Sequence, residues 1–259
     1  MNNNLSPVTT LTILTILTIL TIVWMRSQST SLSCEIEIDM IHLVLYSPSF
    51  PYEDMRQATL PLYQQADRIA TLYYCYTPDL PTAFHFDAST CILHIRGHET
   101  YVPGILDKTI DAVSYALEKY PNAHLIIRSN ASTVLDLPRL RKEVSLHSNV
   151  RYGGNMLNTL QWLDPAGGVI DETWWGTHYA SGTCIVMSRA CAQTMVEERT
   201  LLRRNLVDDL SIGVWMREYH PDVNLWQSSD NGWLYRHRQE SRAKDVEAVQ
   251  ACVRRLMYG

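Results

Sequence analysis

Apolar residues gather in short runs that end abruptly in polar residues, and these runs alternate with longer stretches of helical spacing. A short continuous apolar run is typical of a strand that is covered on both faces of a parallel sheet. The predicted strands are residues 40–46, 71–76, 91–96, 125–128 and 183–187.

Helices are predicted where apolar residues recur every three or four positions. In one of them Ile110, Val113 and Leu117 share a face, and Pro121 marks its end. Ser188 is predicted to cap the start of another. The predicted helices are residues 53–70, 106–120, 137–145, 189–198, 208–219 and 243–257.

This alternation predicts an α/β fold with a mostly parallel central sheet and helices on both faces. Without the first 30 residues, roughly 220 remain, which suits one sizeable domain. We assign that domain to residues 38–259, because no linker interrupts them. Residues 150–180, rich in Gly, Trp and Tyr, are predicted to be irregular.

Polar side chains follow the predicted strand 125–128. Arg128, Ser129, Asn130 and Ser132 come at or just after its end. Open α/β sheets bind their ligands at the carboxyl ends of their strands. A ligand site is therefore expected here.

Two further polar blocks follow in the chain. One runs Tyr179-Ala-Ser181-Gly182-Thr-Cys184 and leads into a predicted strand; the other, Asp208-Asp209-Leu-Ser-Ile-Gly213, opens a predicted helix. With the first block, they make three polar blocks in a fixed order along the chain.

Composition narrows the possible partners. The net charge is −5 with His neutral, and no run of Lys and Arg forms a basic stripe. We therefore expect no nucleic-acid partner. The plentiful apolar and aromatic residues exclude a disordered chain.

The six cysteines contain no Cys-x-x-Cys pair, so a zinc site and a thioredoxin-type motif lack support. Most lie within apolar runs, as buried thiols do. We expect mostly reduced thiols, with disulfides as the alternative that the even count leaves open.

The first 25 residues carry no charged side chain and contain a Thr-Ile-Leu repeat of period three, closed by Arg26. A bilayer core needs about 20 apolar residues, and residues 8–25 nearly supply them. We predict a single-pass membrane anchor within residues 1–30; a cleaved signal peptide and a low-complexity tail are the alternatives.

The side of the membrane is not determined by these features. Arg26 by itself favours a cytosolic body. A glycan on the Asn130-Ala-Ser132 sequon would block the predicted site, which also favours a body that never meets the glycosylation machinery.

The ordered motifs resemble those of nucleotide-sugar glycosyltransferases with the GT-A fold. They are most similar to the family of β-1,3-galactosyl- and N-acetylglucosaminyltransferases, including divergent viral and protist relatives, over residues 40–238. Lys108-Thr109 match that family's Lys-Thr pair. The Ser181-Gly182 and Asp208-Asp209 blocks match its Ser-Gly and Glu-Asp motifs, and His237 matches a late histidine.

The resemblance implies a single GT-A-like, Rossmann-like domain that transfers a hexose from a UDP-sugar to a hydroxyl of a glycan or protein, with inversion. It also implies Mn²⁺ or Mg²⁺. The family's metal-binding Lys-x-Asp-Asp-Asp run, however, is replaced here by Arg128-Ser-Asn130-Ala131-Ser132, which brings no negative charge.

Asp209 is the candidate general base, because the family's Asp occupies its place and a partly desolvated carboxylate can accept a proton from a hydroxyl. Asp208 would position that base or bind acceptor hydroxyls. The alternative is that both carboxylates simply cap a helix.

The donor-binding candidates are of two kinds. Lys108, Arg128 and His237 could take the place of a metal beside the diphosphate. Oxygen-bearing side chains and one glycine complete the set: Ser129, Asn130, Ser132, Ser181 and Gly182. Arg128 could instead form an ion pair at a strand end, Lys108 could be a solvated residue in the first turn of a helix, and His237 could be structural.

Trp174, Trp175 and Tyr179 are the candidates for an acceptor platform, since sugar faces stack on aromatic rings; they could equally belong to the core.

Three other classes of protein compete with a transferase. A structural membrane-anchored protein would not explain the polar strand end. A non-catalytic sugar or nucleotide-sugar binder on the same fold would explain the missing aspartates. A hydrolase has less support: Ser181 is not within Gly-x-Ser-x-Gly, and Cys184 lies among apolar residues.

Overall fold

Strands and helices alternate through residues 37–147, 149–230, 232–236, 238 and 241–259, the residues that the computed structural model describes. The strands are β1 Met40–Leu45, β2 Ile69–Thr77, β3 Phe84–Asp87, β4 Ile92–Arg96, β5 Leu125–Asn130, β6 Thr133–Leu135, β7 Tyr152–Gly154, β8 Leu157–Thr159, β9 His178–Ala180, β10 Cys184–Ser188, β11 Leu225–Gln227 and β12 Leu234–Arg236. The helices are α1 Tyr52–Gln64, α2 Gly104–Lys119, α3 Leu137–Ser145, α4 Arg189–Glu197, α5 Asp208–Tyr219 and α6 Arg242–Tyr258.

Eight strands form one sheet in the order β11-β7-β10-β5-β1-β2-β4-β3. The four central strands β5, β1, β2 and β4 are parallel, whereas β10 and β3 pair antiparallel with their neighbours. Two short pairs, β12 with β6 and β8 with β9, lie outside this sheet. The predicted fold class, a mostly parallel sheet in an α/β fold, is confirmed.

Helices cover both faces of the sheet because strand residues alternate between faces. Ile41 and Leu43 of β1 pack in one apolar cluster with α2, α4 and α5. Met40 and Val44 pack in a second cluster with α1 and α3. Helix α6 packs on α1 and β6. The chain from Ile38 to Gly259 forms one compact unit.

Several predicted boundaries hold and others need correction. The helices predicted over 137–145 and 208–219 match α3 and α5, and Ser188 caps α4 by accepting from the Cys191 amide. The helix predicted over 53–70 is too long. It ends at Gln64, and the chain turns through Arg68, whose φ is 59°, into β2.

The prediction that residues 150–180 are irregular is wrong in part. Strand β7 lies within the main sheet, and β8 pairs with β9. Each of these strands has only three residues, which is too short to show a period of two. Between β8 and β9 the chain makes two 3₁₀ turns, Pro165–Gly167 and Glu172–Trp174.

The predicted membrane anchor within residues 1–30 lies outside the described residues. Within those residues, no helix has the length and apolar character needed to cross a bilayer. The described cysteines are all free thiols, as expected: Cys75, Cys91, Cys184, Cys191 and Cys252. Cys34 lies outside the described residues.

Candidate active site

A cleft of about 590 Å³ lies where β1 and β5 end. Its walls include the chain after each strand, the loop that precedes β10, and the first residues of α5. Open α/β folds bind ligands at this edge of the sheet. Of the predicted site residues, the cleft brings together Lys108, Arg128, Asn130, Ser132, Tyr179, Ser181, Gly182, Asp208 and Asp209.

Arg128 connects three of these segments. Its side chain is buried, at 1% exposure. Nη1 donates to Asn130 Oδ1 at 2.8 Å and to the Gly182 carbonyl. Nη2 lies 2.6 Å from Asp208 Oδ2, an ion pair whose angle falls outside hydrogen-bond geometry. The guanidinium therefore fixes the end of β5, the loop before β10 and the start of α5 relative to one another.

Asp209 is the carboxylate that faces the cleft beside this pair. Its Oδ2 accepts from the Gly182 amide at 2.9 Å, and its Oδ1 accepts from the Leu210 amide at 2.8 Å. Burial, followed by the charge of Asp208, raises the pKa of Asp209 to about 6. At neutral pH the group is mostly ionised, yet it is a stronger base than an ordinary carboxylate.

Two glycines allow these segments to meet. A Cβ on Gly182 would lie 3.1 Å from both Arg128 Nη1 and Asp209 Oδ2, a contact tight enough to push one of them away. A Cβ on Gly213 would lie 2.3 Å from the Cβ of Tyr179, so only glycine lets α5 approach β9 this closely.

Lys108 lies on α2 at the cleft floor with 2% exposure. Its Nζ is 2.7 Å and 2.5 Å from the two carboxylate oxygens of Glu99, and 3.5 Å from the Tyr46 carbonyl. Burial lowers the pKa of Lys108, while Glu99 opposes that shift. The charge of this cation is thus already balanced.

Ser129 does not line the cleft, contrary to its prediction as a donor-binding residue. Strand residues alternate between faces, so Ser129 lies on the opposite face of β5 from Arg128. There it is fully buried and its hydroxyl lies 2.8 Å from His42 Nε2.

Trp174, Trp175 and Tyr179 do not form one aromatic surface. Tyr179 is largely buried in the cleft wall. Trp174 packs against the neighbouring apolar cluster and against the guanidinium of Arg203, whereas Trp175 is half exposed elsewhere. Sequence reasoning missed two exposed aromatic residues that line the cleft, Tyr101 and Trp162, both about half exposed. Both lie in loops without periodic pattern.

His237 lies outside the described residues. Its sequence neighbours Arg236 and Arg238 line the cleft, together with Arg242. These three arginines were also missed. The Arg-x-Arg spacing of Arg236 and Arg238 was a weak signal for two of them, and no sequence pattern pointed to Arg242.

The strand end does not fit a divalent metal ion. Mn²⁺ and Mg²⁺ prefer several oxygen ligands, usually with carboxylates among them. Here the side-chain oxygen of Asn130 already accepts from Arg128, and Asp208 is paired with the same guanidinium. Over the described ranges, no group of three or more His, Cys, Asp or Glu side chains is arranged to hold a metal.

Comparison with known proteins gives a limited result. No protein-family model matches the chain, and no curated protein sequence matches it. One similar solved structure is a glycosyltransferase involved in the glycosylation of the major capsid of PBCV-1. It has a TM-score of 0.48 and 9% identity, over 83% of this chain and 99% of that one.

A second is 4-diphosphocytidyl-2C-methyl-D-erythritol synthase, with a TM-score of 0.46 and 14% identity, over 82% of this chain and 99% of that one. At TM-scores below 0.5, neither likeness gives information on activity. Neither identifies the β-1,3-galactosyl- and N-acetylglucosaminyltransferase family that the motifs resemble.

Proposed function

We propose that this protein is a glycosyltransferase that moves a sugar from a UDP-sugar to a hydroxyl of a glycan or protein, with inversion. The proposal rests on one arrangement in the cleft at the carboxyl edge of the sheet. Gly182 is bonded through its amide to Asp209 and through its carbonyl to Arg128, which is paired with Asp208. The ordered resemblance of the motifs to GT-A-fold transferases supports it from the sequence.

Asp209 is the general base in this mechanism. Its carboxylate takes the proton from the acceptor hydroxyl as the hydroxyl oxygen forms its bond to the anomeric carbon. The bond between that carbon and the phosphate oxygen breaks at the same time, and UDP leaves with the electron pair. The Gly182 and Leu210 amides orient the carboxylate, and its raised pKa makes it a better proton acceptor.

Asp208 and Arg128 act as positioning residues. Both are buried, and each is engaged with the other. Their ion pair keeps α5 at a fixed distance from β5, so that Asp209 stays beside Gly182. In an enzyme that must align two substrates, such rigidity contributes to rate because misplacement by about 1 Å is costly.

The donor occupies the cleft between the end of β5 and the loop before β10. Asn130, Ser132 and Ser181 offer polar side chains there, and Gly182 allows the chain to approach a ligand closely. Lys108 lies at the floor as a donor-binding candidate, with its charge balanced by Glu99. His237 is retained as a donor-binding candidate on its sequence position. For the acceptor, Tyr179 and the half-exposed ring of Trp162 are aromatic candidates among the side chains that line the cleft.

The N-terminal segment carries a separate proposal. We propose that residues 1–30 anchor the protein to a membrane by a single pass, on the basis of their uncharged, apolar sequence. Extraction of the full chain from membranes only by detergent is the expected result, and protease protection of intact membranes would determine which side the body occupies. Release by alkaline carbonate alone would contradict the anchor.

A second candidate function is a nucleotide-sugar binder without turnover. The observation that favours it is the absence of an acidic run at the end of β5, where the resembled family carries its aspartates. Such a protein would bind a donor in the same cleft and release no UDP.

The test is a panel of UDP-, GDP-, CMP- and dTDP-linked sugars offered to the detergent-solubilised full chain with mixed acceptors. Release of the free nucleotide is measured with Mn²⁺ and with EDTA, and reactions without acceptor serve as the control. We expect UDP release from one UDP-sugar, dependent on acceptor. Donor binding with no release across the panel would favour the binder.

A further inference from the structure

We propose that Arg236, Arg238 and Arg242 form the site that holds the diphosphate of a nucleoside diphosphate, without a divalent metal. The identity of the ligand rests on the function proposed above; the anion site itself rests on the arrangement of charges in the cleft. These arginines were not among the residues that the sequence motifs selected.

The three side chains converge from separate elements. Arg236 is the last residue of β12 and pairs with Thr133, the first residue of β6. Thr133 directly follows Ser132, which lines the cleft two residues after β5 ends. Arg238 follows it, and Arg242 is the first residue of α6. All three are exposed and all three line the cleft. The chain therefore collects three guanidinium groups at one rim.

The two buried cations of the cleft already have carboxylate partners. Lys108 is paired with Glu99, and Arg128 with Asp208. Neither Arg236 nor Arg238 forms an ion pair with any residue that the structure describes. Arg242 lies 3.2 Å from Asp245 Oδ2 but keeps about half of its side chain exposed. Within the described part of the chain, Arg236 and Arg238 therefore bring positive charge to the rim without an ion-pair partner.

Neighbouring guanidinium groups repel one another unless an anion joins them. Burial, and then the nearby charge of Arg238, lower the pKa of Arg236, while Asp209 opposes the shift. The charges of Arg238 and of the candidate base Asp209 therefore both act on Arg236. Guanidinium groups bind phosphate oxygens through two parallel hydrogen bonds, and a diphosphate offers enough oxygens for more than one arginine.

This placement gives the rim a role in transfer. A leaving diphosphate gains charge as its bond to the sugar breaks, and cations aimed at that charge lower the barrier. The strand end lacks the ligands for a metal, so the arginine rim supplies the positive charge instead. The sugar would then lie between the rim and Asp209, which lines the same cleft.

The test measures binding of UDP, UMP, uridine and inorganic pyrophosphate to the detergent-solubilised full chain by calorimetry, all in EDTA. We expect affinity to decrease from UDP to UMP to uridine. The double variant Arg236→Ala/Arg238→Ala is expected to bind UDP at least about tenfold more weakly, with little change for uridine. Arg254→Ala, an exposed arginine of α6 outside the cleft, is the matched control.

A second variant, Arg236→Gln/Arg238→Gln, keeps polar side chains of similar reach and should show the same loss of UDP affinity. Circular dichroism melting of each variant separates this loss from unfolding. Wild-type UDP affinity in either folded double variant would overturn the proposal, as would UDP binding that EDTA abolishes and Mn²⁺ restores. Binding of pyrophosphate as tight as that of UDP would overturn the choice of a nucleoside diphosphate.

The outcomes also separate this site from the proposed function. UDP binding that depends on the arginines, without turnover of any sugar, would contradict the transferase and leave the anion site standing. Turnover by the double variant with an unchanged KM for the donor would contradict the site and leave the transferase standing.

Discussion

Arginine has different roles at the buried floor of the cleft, where Arg128 lies, and at its exposed rim, where Arg238 lies. Arg128 at the floor is buried and engages Asn130, Gly182 and Asp208. Arg238 at the rim is exposed and forms no ion pair with a described residue. A buried charge is tolerated only with partners, and removing one partner leaves the other unpaired. The floor arginine is therefore committed to structure, whereas the rim arginine is free to meet a ligand.

Asp209 lines the same cleft as both regions, and its substitution gives the largest expected effect. In Asp209→Asn the side chain keeps its size and one acceptor oxygen but can no longer take a proton. We expect a loss of about 10²–10⁴-fold in kcat, measured as acceptor-dependent UDP release, with UDP affinity retained.

The matched control is Asp222→Asn, an exposed carboxylate in the turn after α5, which should leave the rate unchanged. If Asp209→Asn keeps the wild-type rate, Asp209 is not the general base and the proposed mechanism is wrong.

Arg128→Met compares the floor with the rim directly. It leaves Asp208 buried and unpaired, so we expect the free energy of unfolding in urea to fall by about 3–5 kcal/mol. Arg238→Met, at an exposed position, should change it by less than about 0.5 kcal/mol. The double change Arg128→Met/Asp208→Asn should recover part of the loss, because it removes the uncompensated charge.

Equal losses of stability in Arg128→Met and Arg238→Met would contradict the structural role given to Arg128 alone. UDP affinity should follow the opposite order in the variants that remain folded, with the larger loss for Arg238→Met.

The pH dependence of transfer reports the environment of Asp209. The base works only when it is deprotonated, and burial raises its pKa to about 6. We expect kcat/KM to fall tenfold for each pH unit below about 6 and to be level above it. A carboxylate in water would show its break near pH 4.

The residual activity of Asp209→Asn should lack this break. A break near pH 4 in the wild type would show that the candidate base is not desolvated.

The fold and the floor were largely predictable, because they depend on local patterns. Apolar runs identified the four parallel strands at the centre of the sheet, and the capping residue Ser188 identified the start of α4. The block 208–213 could be placed at a helix start since its carboxylates and glycine are adjacent in the chain. That Gly213 permits close contact with Tyr179 needed coordinates.

The rim was not predictable, because three guanidinium groups from different elements meet only through tertiary structure. Strand β12 has three residues and pairs with β6, another strand of three. Neither gives a periodic signal. Ser129 was wrongly predicted to line the site because it is adjacent to Arg128 in the chain. Neighbouring side chains of a strand point to opposite faces of the sheet, so the two residues cannot share one site.

The smallest predicted effect concerns Lys108, which lies at the floor with its charge balanced by Glu99. Glu99→Gln removes that balance while keeping the size of the side chain. If Lys108 lies within reach of the donor phosphates, its freed charge should strengthen UDP binding about two- to fivefold, the energy of a partly exposed ion pair. Calorimetry in EDTA at low ionic strength measures the change.

Substitutions that disturb the fold usually weaken binding, so a gain of UDP affinity would not be explained by a disturbed structure. Glu118→Gln, an exposed residue near the end of α2 and outside the cleft, is the matched control and should change nothing. The gain should shrink as salt is added, because charges that reach solvent are screened. Unchanged or weaker UDP binding by Glu99→Gln would remove Lys108 from the donor site. It would assign the diphosphate to the arginine rim alone and leave both buried cations of the floor with structural roles.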